Sequence, residues 1–228
     1  MIAGETMWYF SIAALLFAAL ESLALWKNWK RLETIVKPAV MVVLFAGLSV
    51  SAGLEGALFW FGLGILFSLT GDVLLMLSLD RFFLAGLTAF LLAHLAYVIG
   101  FNIPLPGLTS WGLILAVMIG WGGVRVINRI LSALAAKGQN RLRLPVIVYS
   151  AVISLMLLSA MIKLPDLTWG AGASLLVSLG ALLFYLSDVV LAWNKFVTPI
   201  QHGRIYNIAA YHLGQIAIVT GAALQFGK

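Results

Sequence analysis

The sequence predicts an all-α fold, a polytopic membrane bundle of eight transmembrane helices that forms one integral membrane domain over residues 1–228. Three observations predict it. Of the 228 residues, 63% are apolar and 10% charged, against roughly 45–50% and about 25% in soluble domains, which leaves too little polar surface to coat a water-facing globule. Mean hydropathy is +1.07, and apolar runs long enough to cross a bilayer recur along the whole chain. Those runs do not alternate polar and apolar as barrel strands would, and in lipid a helix satisfies its own backbone. At roughly 20 residues per span the length holds seven or eight helices and no soluble catalytic domain.

Eight apolar runs then define the elements in order. Span 1 (8–26) is too long for a signal peptide and has Glu5 rather than a basic leader before it, so it is retained as a span. Span 2 (36–53) opens with Lys37-Pro38 and span 6 (144–162) with Leu144-Pro145, where a missing amide donor costs little. Span 3 (57–79) carries Gly62, Gly64, Ser68 and Gly71, and span 7 (168–193) carries Gly170, Ala173, Ser174, Ser178 and Ala181, small residues that allow close helix approach. Span 4 (82–101) contains His94 and Tyr97, span 5 (109–126) ends at a basic cluster, and span 8 (205–225) contains Tyr211 and His212.

Charge placement gives the orientation. Twelve of the fourteen Lys and Arg residues fall in the 1–2, 3–4, 5–6 and 7–8 connections, with Lys163 and Lys228 on the other side. Cytoplasmic loops collect such residues, so both termini are expected to face away from the cytoplasm. Trp8, Trp60, Trp111 and Trp169 then lie near outer ends and Trp26, Trp29 and Trp193 near inner ends, as interfacial belts do. The cluster Arg125, Arg129, Lys137, Arg141 and Arg143 reads as a solvated topogenic loop. Basic residues placed between spans do not make the stripe a nucleic-acid binder needs, so the net charge of +6 assigns no such partner.

A weak internal repeat joins the halves. Phe67-Ser-Leu-Thr-Gly-Asp72-Val-Leu-Leu in span 3 parallels Phe184-Tyr-Leu-Ser-Asp188-Val-Val-Leu in span 7, and each is followed by a span bearing a His and a Tyr. Four spans per half would make the halves parallel repeats about an axis normal to the membrane.

An ionisable side chain within a span costs a few kcal/mol or more, so each is a functional candidate. They are Glu21, Asp72, His94, Asp188 and His212, with Lys37 at the edge of span 2. Most fall in the cytoplasmic half of their spans, Asp72 roughly 10 Å and Asp188 and Glu21 roughly 8 Å from the inner ends at the helical rise, which implies a polar pocket entered from the inner leaflet. Asp72 and Asp188 are expected to face each other there, one carrying a proton and the other charged. Each residue also has a structural interpretation: Glu21 as a partner of Lys37, His94 as a core histidine bonded to a carbonyl, the tyrosines as packing residues. Zero cysteines exclude thiolate chemistry and Cys-ligated metals. No His-x-x-x-His or His-Glu-x-x-His pair, serine elbow or phosphate loop occurs, so no metal or cofactor is expected.

Lys37-Pro38, Phe67-Ser-Leu-Thr-Gly-Asp72-Val-Leu-Leu-Met76, Phe90-Leu-Leu-Ala-His94-Leu-Ala-Tyr97 and Ser187-Asp188-Val-Val-Leu-Ala192 together resemble the YhhN family of lysoplasmalogenase-like membrane proteins. The resemblance covers nearly the whole chain. It implies an eight-span enzyme of a bacterial inner membrane that hydrolyses the vinyl ether of lysoplasmalogens to a fatty aldehyde and a glycerophospho-choline or -ethanolamine. It also implies a lysophospholipid substrate and membrane lipid as partners, and leaves the oligomeric state open. Vinyl ether hydrolysis suits two aspartates: an acid protonates the alkene carbon remote from oxygen, water attacks the oxocarbenium ion, and the hemiacetal collapses. Asp72 and Asp188 can exchange the two roles, and the position of Asp188 nearer water favours it as the ionised partner. Lys37, with Arg81 or Lys195, would hold the phosphate, and Glu21, His94, Tyr97 and His212 would line or tune the site. A proton-coupled transporter using Asp72 and Asp188 as a relay and a lipid-binding module without catalysis remain as other classes.

Overall fold

The computed structural model describes residues 3–227. Among them eight helices of membrane-crossing length follow one another: α1 (Ala3–Lys27), α2 (Lys30–Ser51), α3 (Ala57–Leu77), α4 (Phe83–Phe101), α5 (Ser110–Ala136), α6 (Arg143–Met161), α7 (Ala171–Ala192) and α8 (Gly203–Phe226). A short 3-10 turn, Asn140–Leu142, leads into α6, and a π-helical turn, Trp193–Val197, closes α7. Consecutive helices pack in pairs, most extensively α1 on α2, α3 on α4 and α7 on α8, while α8 also lies against α1, α2 and α3. Helix α4 also packs on α6.

Seven of the eight helices are long and apolar enough to cross a membrane; α8 is long enough but less apolar. The reason is its position. His212, Gln215 and Thr220 are fully buried in the protein interior, so α8 does not need a lipid-compatible surface on every side. It meets α7 backbone to backbone. A Cβ on Gly214 would come within 2.8 Å of the Gly180 carbonyl oxygen and 2.9 Å of the Phe184 nitrogen. Gly214→Ala must therefore spread the two helices, at a cost of about 1–3 kcal/mol as for an overpacked core. A lowered melting temperature in detergent is the expected readout, and an unchanged one would contradict this packing.

Several helix ends depart from the apolar runs, because hydropathy locates hydrocarbon rather than helix termini. Helix α2 begins at Lys30, which leaves Pro38 inside it rather than at its opening. Pro145 does fall in the first turn of α6. Helix α5 continues to Ala136, so Arg125 and Arg129 belong to a helix and not to a loop, with the Arg125 guanidinium 3.5 Å from the centroid of the Trp121 ring. Trp169 is buried against Phe226 and is not a lipid-facing belt residue. Lys228, counted above on the outer side, lies outside the described residues.

Candidate active site

A polar cavity of about 330 Å³ opens at one end of the bundle. Lys37 from α2, Asp72 from α3, Phe90 from α4, Asp188 from α7 and Arg204, Asn207 and Tyr211 from α8 line it. By alternation of the helices, this is the end toward which the twelve basic residues lie, in the connections and the adjoining helix ends. The two aspartates therefore share one cavity, although each is held by its own set of partners.

Asp72 is buried, with Lys37 Nζ 3.3 Å from its Oδ1 and the Tyr211 hydroxyl donating to Oδ2 at 2.7 Å. Both of its oxygens are engaged. Asp188 is more open, its side chain 13% exposed. The Tyr149 hydroxyl donates a short hydrogen bond to Oδ2, and His94 Nε2 lies 2.9 Å from the Tyr149 oxygen and 3.3 Å from Oδ2. Its other oxygen, Oδ1, is bonded among the described residues only by the Ser187 hydroxyl, at 3.5 Å, and so stands available to a reacting group. The Phe184 ring separates the two clusters, 4.7 Å from the His94 ring and 5.2 Å from that of Tyr211. Asp72 on α3 is thus gripped from α2 and α8, and Asp188 on α7 from α6 and α4.

A second, narrow and apolar chamber lies between α4, α5, α6 and α7. It shares Leu75, Phe90, Asp188 and Leu191 with the polar cavity. Asp188 stands where the two meet.

The remaining candidates sit elsewhere. Glu21 pairs with His212 rather than with Lys37; both are wholly buried, and neither lines the polar cavity or the apolar chamber. Tyr97 donates to Gln215 Oε1 at 2.6 Å, and Gln215 Nε2 in turn donates to Ser68, which makes an interior clasp between α3, α4 and α8. His94 is bonded to side chains rather than to a carbonyl. Arg81 and Lys195 face a separate hollow; Lys195 is engaged with Asp80 at 2.9 Å, which holds that exposed carboxyl below the usual carboxylate range. The cavity's second cation is instead Arg204, paired with Glu33. Tyr149 and Arg204 were missed by sequence reasoning: a hydroxyl in an apolar run, and an arginine counted only as a topology marker, carry no signal of their own. Among the described residues no group of three or more His, Asp or Glu side chains is arranged to hold a metal ion.

A family model described as the YhhN family matches residues 32–222, a stretch that contains every residue lining both cavities. The chain belongs to the YhhN family. Of the site candidates only Glu21 precedes the matched YhhN segment. The chain's relatives include proteins named lysoplasmalogenase. The chain is 33% identical over 193 residues to lysoplasmalogenase TMEM86B of Sus scrofa, covering 79% of this chain and 70% of the relative. It is 31% identical over 141 residues to human TMEM86B, covering 61% and 54%. It is 29% identical over 189 residues to the lysoplasmalogenase of Mycobacterium tuberculosis, covering 80% and 67%. Against these curated proteins the YhhN chain spans from about half to just over two thirds of their length. No solved structure matches it.

Proposed function

We propose that this chain is a membrane hydrolase that cleaves the vinyl ether bond of lysoplasmalogens, with Asp188 delivering the proton and Asp72 as its charged partner. The observation that carries the proposal is the position of Asp188 at the junction of a polar and an apolar space. A lysolipid has the same division, and its vinyl ether lies where the headgroup portion meets the chain. Lys37 and Arg204 offer cations to the phosphate on the polar side.

The Asp188 carboxyl transfers its proton to the alkene carbon remote from oxygen, leaving an oxocarbenium ion and an aspartate. A water molecule adds to the cationic carbon and returns a proton to that aspartate. The hemiacetal C–O bond then breaks, the hydroxyl proton passes to the departing glycerol oxygen, and aldehyde and glycerophospho-alcohol separate. Asp72, held beside Lys37, contributes negative charge near the developing cation. This division reverses the preference drawn from depth alone; its support is that Asp72 has both oxygens engaged whereas Asp188 keeps Oδ1 available.

The basic connections support a cytoplasmic opening for the cavity and a non-cytoplasmic location for both termini, with α8 as the eighth span. The exchange of α2 with α6 and of α8 with α4 around the two aspartates supports an origin in two parallel four-helix repeats.

Substrate discrimination tests the proposal. Purified protein in detergent is given three lysophospholipids that differ only at the first glycerol carbon: a vinyl ether, an alkyl ether and an ester. Protonation makes an oxocarbenium ion only from the vinyl ether, so aldehyde is expected from that substrate alone. Fatty acid released from the ester at a comparable rate, or no aldehyde from the vinyl ether, would overturn it. A relay that only moves protons would leave all three lipids intact.

A further inference from the structure

We infer that the chamber between α4, α5, α6 and α7 seats the substrate's hydrocarbon chain, and that Gly123 on α5 limits the chain length it admits; this rests on the hydrolase proposal above. Continuity is the first argument. Leu75, Phe90, Asp188 and Leu191 line both the chamber and the polar cavity, so a vinyl ether beside Asp188 has the chamber directly next to it.

The lining is the second. Its walls are almost wholly aliphatic and aromatic, and the Tyr149 hydroxyl is already engaged with Asp188. Helix α5 packs on α6 and on the π turn, while Phe83 and Leu87 of α4 face Val126 and Ile130 of α5 across the space. Nothing water-soluble is favoured in such a chamber inside a membrane; an alkyl chain is.

Gly123 marks its deep end. Helix α5 runs from the outer toward the basic end, and Gly123 lies seven residues before Ile130, roughly 10 Å deeper at the helical rise. A Cβ placed on Gly123 would meet Tyr185 Oη at 3.4 Å and Ser154 Oγ at 3.6 Å, ordinary contact distances. A first carbon therefore fits, whereas a leucine side chain must extend into the space a long chain would use.

Two measurements on the full chain test this. With vinyl ether lysolipids of eight-carbon and sixteen-carbon chains, Gly123→Leu is expected to raise the short-to-long ratio of kcat/KM by about tenfold, the discrimination a few methylene contacts supply. An unchanged ratio would overturn the inference. The second uses wild-type protein and a non-hydrolysable alkyl ether lysophospholipid with a photoreactive group at the chain end. Cross-links are expected on α5 and α6 around Gly123 and Ile153; cross-links confined to α1 and α2 would overturn the chain seat. Cross-links at Gly123 without aldehyde from any substrate would uphold the seat and overturn the hydrolase proposal instead.

Discussion

Replacing Asp188 with Asn is expected to reduce aldehyde release by at least about 100-fold, within the range contributed by a positioned general acid, while leaving the fold intact. An asparagine has the same shape, and its carbonyl oxygen can still accept the Tyr149 hydroxyl that Oδ2 accepts in the native protein. It has no carboxylic proton to give. The loss should therefore appear in kcat, with KM for the lysolipid little changed, because Lys37 and Arg204 still face the headgroup. Thermal unfolding in detergent checks the other half of the expectation: Asp188 is partly exposed, so an isosteric change there should leave the melting temperature near that of the wild type. Near-native turnover by this variant would remove Asp188 from the chemistry.

The largest expected effect on stability comes from Lys37. Its ammonium lies 3.3 Å from a nearly buried carboxylate, and Lys37→Met leaves that carboxylate facing only the Tyr211 hydroxyl. Removing one partner of a buried pair costs about 3–5 kcal/mol, because the other charge remains uncompensated. The second change, Asp72→Asn, should then recover most of the loss, since an amide needs no cation. A double-mutant cycle read by thermal unfolding separates this from lost packing of the lysine stem: a packing effect would persist in the double variant, whereas the charge effect would not. A single variant as stable as the native chain would show that the pair does not hold the structure.

Much of this site was legible in the sequence, for a definite reason. In hydrocarbon a carboxylate or ammonium is costly wherever it sits, so Asp72, Asp188 and Lys37 stand out against apolar neighbours without any knowledge of the fold, and all three line one cavity. What holds them was not legible. Tyr149 and Asp188 are 39 residues apart, and Glu21 and His212 are 191 apart. Such pairings are set by helix packing, about which an apolar run says little. Tyrosine is especially silent, because its ring suits a core and its one hydroxyl shows a role only when its partner is known. Helix ends were displaced for a related reason: the amphipathic first turns of α2 and last turns of α5 lie beyond the apolar runs that mark the spans. Helix α8 shows the converse, with polar side chains in a helix shielded by its neighbours.

Proton delivery to carbon is the step on which the account turns, and it leaves a permanent label. When the purified protein hydrolyses a lysoplasmalogen in heavy water and the aldehyde is reduced as it forms, the product should carry one deuterium on the carbon adjacent to the former carbonyl. The Asp188→Asn variant, treated in parallel, should yield almost none of that product. Aldehyde without deuterium at that carbon, or labelled aldehyde formed equally fast by the variant, would contradict the account.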